Sequence, residues 1–89
     1  MKPGDPIRLI PEMEGENNHK MLWDSPPDFT SIYRKNHVGR FHYSDVGIVL
    51  EQKYVSDGNL PLHIQTTWIK VMCPTGMGWI KRGDTELIR

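Results

Sequence analysis

Short runs in which apolar and polar residues alternate dominate the chain, and such runs predict half-buried β-strands. The first run is PIRLIPE, in which Ile7 and Leu9 share one face and Arg8 takes the other. The next run is DVGIVLEQKYV at 45–55, and one of its faces carries Val46, Ile48 and Leu50. Gly47 interrupts this run, which predicts either a bulge or a close approach of another backbone.

The pattern continues in the second half of the chain, with turns between the runs. SDGNLP at 56–61 is a strong hairpin signal because of its Asp-Gly pair. A third strand is predicted at 62–73. Its alternation changes phase near Thr66 and Thr67, so a bend is expected there. The inward register after the bend consists of Ile69, Val71 and Cys73.

Short segments complete the predicted β structure. PTGMG at 74–78 is a turn, residues 79–81 form a short strand, RGD at 82–84 turns again, and residues 86–89 form the last strand. About five short strands joined by tight turns predict an all-β protein that closes into a small barrel, because closure removes the exposed edges of an open sheet.

Residues 11–44 interrupt this pattern, and a connection of this length is expected to contain structure or to carry function. A short helix is predicted at about 26–35, because Ser25 suits an N-cap and is followed by proline and then by aspartate three residues after the cap. One face of this helix would carry Phe29, Ile32 and Tyr33. The alternative is a β-hairpin that pairs residues 30–34 with residues 40–44.

Composition narrows the class of protein. The 89 residues are expected to form one domain, with 11 basic and 11 acidic side chains. This balance provides no long-range attraction to nucleic acid or to an anionic membrane. No apolar stretch approaches the roughly 18 residues of a membrane helix, and the first residues lack the apolar centre of a signal peptide. A cytoplasmic protein without a membrane partner is therefore expected.

The end of the chain carries the most specific motif. Residues 78–88, GWIKRGDTELI, resemble the ending of SH3 domains, in which a Gly-aromatic-aliphatic strand leads through a 3₁₀ turn into a final short strand. The resemblance implies an SH3-like barrel of about five strands with an insertion at 11–44. It places Trp68 where SH3 domains use an exposed tryptophan to clasp proline-rich ligands. Lys81 and Asp84 stand where that family has proline and tyrosine, so the resemblance implies the barrel and not that ligand.

The same motifs resemble two further groups of small proteins. GIVLE at 47–51, with the G-W-I and E-L-I elements of the tail, is similar to small proteins of marine bacteriophages. This likeness implies a phage or marine microbial source and a location in the host cytoplasm. A looser likeness to the KOW-type barrels of ribosomal and transcription proteins implies a nucleic-acid-binding alternative.

The aromatic residues are the candidates for a binding face. Trp68 precedes the inward register by one residue, so its side chain is expected to point outward, either as a recognition anchor or packed under the insertion. In the tail, Ile80 is expected to be buried and Trp79 to lie at the surface, where a cross-strand contact is the simpler role. The face predicted to bind a protein or peptide consists of Trp68, Trp79, Tyr33, Phe41 and Tyr43.

Two other hypotheses remain open beside protein or peptide recognition. The nucleic-acid alternative depends on five basic residues, Arg34, Lys35, Arg40, Lys81 and Arg82. A structural subunit of a homo-oligomer is the third possibility, since exposed aromatic residues would then be covered by a second copy.

No residue pattern predicts catalysis, a cofactor or a metal site. The four histidines lack the paired spacing of metal-binding motifs. Cys73 has no second cysteine with which to form an internal disulfide, and it falls on the inward register, so a buried small hydrophobic residue is expected. A non-catalytic binding module is therefore the leading hypothesis.

Overall fold

The computed structural model describes residues 1–11, 18–26, 37–56 and 58–88, and these contain seven β-strands. Their bounds are β1 Pro6–Leu9, β2 His19–Trp23, β3 His37–His42, β4 Gly47–Tyr54, β5 Thr67–Cys73, β6 Gly76–Lys81 and β7 Thr85–Leu87. They form one antiparallel sheet in the order β3-β2-β6-β5-β4-β1-β7. The described residues include no α-helix, and hence none that is long and apolar enough to cross a membrane.

The all-β class is therefore confirmed, while the number of strands differs from the prediction. The two strands beyond the predicted five are β2 and β3, and both lie within the region predicted as an insertion. The helix predicted at 26–35 lies outside the described residues, apart from Pro26.

Three strands that follow one another along the chain form the centre of the sheet. β4 pairs with β5 and β5 pairs with β6, while β1 lies between β4 and β7. A 3₁₀ turn at Arg82–Asp84 leads from β6 into β7, as the tail motif predicts. Thr85 stabilises this turn, because its backbone N–H and its hydroxyl both donate to the C=O of Arg82.

The strand predicted at 62–73 begins later, at Thr67. Residues 62–66 belong to the loop between β4 and β5, whose ends are joined by a hydrogen bond from the N–H of Val55 to the C=O of Thr66 (2.9 Å). The phase change near Thr66 therefore marks the beginning of the strand and not a bend within it. A register shift does occur in the sheet, but it lies in the partner strand β4.

The region 11–44 contributes a β-hairpin, but its strands are not the pair at 30–34 and 40–44 that the alternative interpretation gave. Residues 30–34 lie outside the described residues, and β3 pairs instead with β2. A single residue pair, Trp23 with Trp79, connects this hairpin to β6. The hairpin is therefore free to leave the plane of the sheet beyond that pair.

The hydrophobic core lies between the β2–β3 hairpin and one face of the sheet, which we call the inner face. This inner cluster consists of Ile7, Leu9, Leu22, Phe41, Val49, Ile69, Val71, Cys73 and Ile80. Leu22 and Phe41 come from the hairpin and are fully buried, so the hairpin covers the sheet and curls it into a half-barrel. The burial predicted for Ile80, for Cys73 and for the inward register of β5 is confirmed.

Gly47 allows the hairpin to approach the sheet closely. A Cβ atom at this position would lie 2.5 Å from Cγ1 of Val71 and 2.8 Å from Cζ of Phe41. Gly78 is similar, since a Cβ atom there would lie 2.6 Å from the Cβ of Leu22. The sequence predicted a bulge or a close backbone approach at Gly47, but the atoms that come close are in the side chains of Val71 and Phe41. A larger residue would force these two packed layers apart.

Candidate functional site

Trp68 and Trp79 lie on the outer face of the sheet, opposite the inner cluster, yet both are buried. The two residues are 2% and 6% exposed, respectively. Their predicted position outside the inward register is confirmed. The predicted surface position of Trp79 is wrong, and of the two alternatives left open for Trp68 the structure shows the packed one. The reason is that a sheet has two faces, and different parts of the chain cover the two faces of β5.

The loop between β4 and β5 covers both tryptophans. The outer cluster consists of Val55, Leu60, Ile64, Trp68 and Trp79, with the partly buried Trp23 packed against it. Nε1 of Trp68 donates a hydrogen bond to the C=O of Ile64 (3.0 Å), which satisfies the indole donor. The ring of Trp23 meets that of Trp68 edge-on, with centroids 5.4 Å apart. Trp68 therefore holds the loop and the insertion to the sheet, which is the packing role weighed against recognition.

The other predicted aromatic residues do not form an exposed face either. Phe41 is fully buried in the inner cluster, Tyr43 is half-buried against it, and Tyr33 lies outside the described residues. Large aromatic side chains supply much of the buried area of a small domain, so their presence in a sequence is a weak guide to the surface. The described residues therefore do not assemble the predicted aromatic face.

The predicted basic residues are also separated. Arg40 lies beside the turn between β5 and β6, where its backbone N–H donates to Oγ1 of Thr75 (3.2 Å). Lys81 and Arg82 lie at the other end of β6, which is about 20 Å away at the rise of a β-strand. The remaining candidates lie outside the described residues, Arg34 and Lys35. Nucleic-acid binding therefore stays a prediction from the sequence.

A row of apolar side chains crosses the outer face next to the covered tryptophans, and no motif in the sequence singled it out. Directly opposed residues on neighbouring strands share a face. Pro6 is opposed to Ile48, Ile48 to Met72, and Met72 to Met77. At the far end, the N–H of Ile88 donates to the C=O of Pro6 (3.0 Å). We call this row the apolar stripe, and its members are Ile88, Pro6, Ile48, Met72 and Met77.

The apolar stripe is open to solvent. Met72 and Met77 are 47% and 53% exposed, Pro6 is exposed, and Ile48 and Ile88 are half-buried. Neighbouring strands lie about 4.8 Å apart, so the four steps of the row span about 19 Å. Contiguous exposed apolar surface of this kind is typical of interaction sites.

The sequence of β4 did contain a signal for this face. Alternation at Val46 and Ile48 predicts an apolar face, and the structure places Gly47 and Val49 on the opposite, inner face. A strand that is apolar on both faces is typical of a sheet that is covered on both sides. The inner face of β4 is covered by the hairpin, and its outer face is open at Ile48.

The titratable side chains of the described residues form one Arg–Glu ion pair and one His–Asp hydrogen bond. Nε of Arg8 lies 2.7 Å from Oε1 of Glu86, and Nδ1 of His42 lies 3.2 Å from Oδ2 of Asp45. Within the same residues, no group of three or more His, Cys, Asp or Glu side chains is placed to hold a metal ion. The apolar stripe is therefore the best-defined candidate site in the part of the chain that the structure describes.

Known proteins provide no further guide to this site. Comparison of the chain with protein-family models, with curated proteins and with solved structures gives no match. The function has to be inferred from the surface of the molecule.

Proposed function

We propose that the protein is a non-catalytic binding module that recognises an apolar segment of another protein through the apolar stripe. For its scaffold we propose an SH3-like barrel enlarged by the β2–β3 hairpin. The 3₁₀ turn at Arg82–Asp84 and the position of β7 beside β1 support this scaffold, because they agree with the tail motif of that family.

One observation carries the proposed function. Met72 and Met77 are directly opposed on neighbouring strands, and about half of each residue is exposed. Burying the exposed parts of two such side chains contributes roughly 1–3 kcal/mol to association. Methionine also adapts its shape to a partner, since its side chain is unbranched and polarisable.

The covered part of the outer face shows how apolar side chains on this face are shielded from solvent. Next to the stripe, Trp68 and Trp79 on the same face are covered by the protein's own loop. No described segment covers Met72 and Met77 in this way, and a partner protein that supplies an apolar segment would complete the face.

Selection from a random peptide library tests this function. Peptides are selected on the wild-type protein and then measured against a variant with Met72→Glu and Met77→Lys. These opposed positions then carry an ion pair, so the net charge and the cross-strand contact are kept while the apolar surface is lost. A matched control carries Tyr54→Glu and Leu62→Lys, two positions outside the stripe that are 64% and 85% exposed.

The selected peptides are expected to lose at least about tenfold in affinity for the stripe variant, because central contacts dominate an interface. The control variant should bind them as the wild type does. Peptides that bind both variants equally would contradict the proposal. A wild-type protein that self-associates, with a monomeric stripe variant, would favour the homo-oligomer hypothesis instead.

A further inference from the structure

The two edges of the sheet differ in how their backbone groups are satisfied. In an antiparallel pair, successive residues point their N–H and C=O groups alternately toward and away from the partner strand. The N–H of Tyr43 donates to the C=O of Asn18, which marks those two residues as a hydrogen-bonded pair. Counting back along β3, Arg40 and His42 therefore point their backbone groups away from β2, toward the edge.

Local contacts cap this first edge. The N–H of Arg40 donates to Oγ1 of Thr75, and the hydroxyl of Thr75 in turn donates to the C=O of Arg40. The N–H of His42 donates to Oδ2 of Asp45 (3.2 Å), and the N–H of Asp45 donates to the C=O of His42 (3.0 Å). Capping of this kind protects an edge strand from pairing with another chain.

The second edge, at β7, has no partner strand among the described residues, and we call it the open edge. The N–H of Ile88 donates to the C=O of Pro6, and the N–H of Ile10 donates to the C=O of Asp84. These two bonds mark the residues of β7 that face β1, so Leu87 points its N–H and C=O outward. In the described part of the sheet β7 has β1 as its one neighbouring strand, so both groups of Leu87 face away from a strand partner.

A cleft with an unbalanced positive charge runs along this open edge. The cleft has a volume of about 510 Å³ and is lined by Met1, Arg8, Arg82, Glu86 and Leu87. The charge of Arg8 is matched by Glu86 at 2.7 Å. Arg82 is exposed and forms no ion pair with a described residue, so its positive charge lies unmatched beside the open backbone.

We propose that the open edge of β7 accepts an extended strand of a partner protein, whose backbone pairs with Leu87 and whose acidic side chain pairs with Arg82. A second copy of this chain is the poorer fit, because an edge of three residues buries far less than the roughly 1,200 Å² of a stable dimer. An added peptide strand needs no such area, since backbone hydrogen bonds supply much of its affinity. This site goes beyond the apolar stripe and uses other residues.

The proposal is tested with two peptides of alternating threonine and valine whose termini are blocked. The peptides are identical except that one has a central aspartate and the other a central lysine. Binding is followed by the amide signals of the ¹⁵N-labelled protein. The aspartate peptide is expected to shift the amide of Leu87 most and to bind about two- to fivefold more tightly than the lysine peptide, as for an exposed ion pair. Arg82→Glu should reverse this preference.

Leu87→Pro removes the outward donor, a change that an edge strand tolerates when that N–H faces solvent. Affinity for both peptides should then fall about fivefold, the effect of one lost hydrogen bond. Leu87→Ala keeps the donor and serves as the control for the lost side chain. The variant with Met72→Glu and Met77→Lys should bind as the wild type does, so failure of the stripe and failure of the edge are separable.

The proposal is overturned by equal affinity for the two peptides, by unchanged binding to Leu87→Pro, or by shifts that map to Met72 and Met77. It is also overturned if the signal of Leu87 moves with protein concentration alone, because a second copy would then occupy the edge. Should Leu87→Pro fail to fold, the charge reversal at Arg82 decides the question by itself.

Discussion

The inner and outer clusters lie back to back on the same sheet, but different parts of the chain build them. The inner cluster draws on six strands, from β1 to β6. In the outer cluster the central sheet supplies only Trp68 and Trp79, and the cover comes from the loop between β4 and β5 and from Trp23. One cluster is the product of strand pairing, and the other depends on a loop that folds back.

This difference explains how one face of a sheet becomes both core and surface. Trp68 and Met72 lie on the same strand and the same outer face, yet they are 2% and 47% exposed. Both side chains project from the strand in the same direction. Their exposures differ because the loop between β4 and β5 covers Trp68 and does not extend over Met72. An apolar residue on this face is therefore core where the loop covers it and candidate binding surface where it does not.

Of the substitutions considered, loss of the Trp68 indole is expected to lower the free energy of unfolding most. Trp68→Ala removes a buried side chain, its contact with Trp23 and the hydrogen bond to Ile64, so the free energy of unfolding should fall by about 3–5 kcal/mol. Urea denaturation measures this. Met72→Ala, on the same face, should change it by no more than about 0.5 kcal/mol. Equal losses would contradict the division of the outer face into covered and open parts.

A methyl group at Gly47 tests the packing of the inner cluster. Gly47→Ala places its Cβ 2.5 Å from Val71 and 2.8 Å from Phe41, and overpacking of this kind costs about 1–3 kcal/mol. Gly58→Ala is the control, because its Cβ would meet no atom within 4 Å. Thermal unfolding should separate the two variants. If the Gly47→Ala protein is as stable as the Gly58→Ala protein, Phe41 of the hairpin is not tightly packed against β4 at Gly47.

The smallest loss of stability is expected at the β3 edge, where Thr75 caps the backbone of Arg40. Thr75→Val keeps the shape of the side chain but removes the hydroxyl that bonds both backbone groups of Arg40, which costs about 1 kcal/mol. Hydrogen exchange at the amide of Arg40 should become faster, while Thr75→Ser should keep its protection. Unchanged exchange in Thr75→Val would mean that another group protects this edge.

Local pattern was sufficient for much of the fold. The inward register of Ile69, Val71 and Cys73 and the turn at 82–84 were both predicted. Each depends on alternation within one strand or on the backbone freedom of one residue, which neighbouring residues in the sequence determine.

The candidate site was predicted poorly, for a physical reason. Alternation assigns a side chain to one of two faces, but it does not say whether that face meets solvent or another part of the chain. Trp68 and Trp79 were assigned to the correct face, but Trp79 was wrongly expected at the surface and the cover over Trp68 was left open. Met72 and Met77 lie on that same face, and nothing local distinguishes them from residues that a loop will cover.

By itself, then, the sequence determined the β class, the approximate positions of the main strands and which side chains share a face, because these follow from a repeat of two residues along each strand. Tertiary structure alone decided that the β2–β3 hairpin covers the inner face, that the loop after β4 buries both tryptophans, and that one edge is capped while the other is open. Those outcomes depend on contacts between residues far apart in the chain. Such contacts form only where the connecting segment is long enough and the side chains fit together. The alternation of residues within one strand determines neither condition.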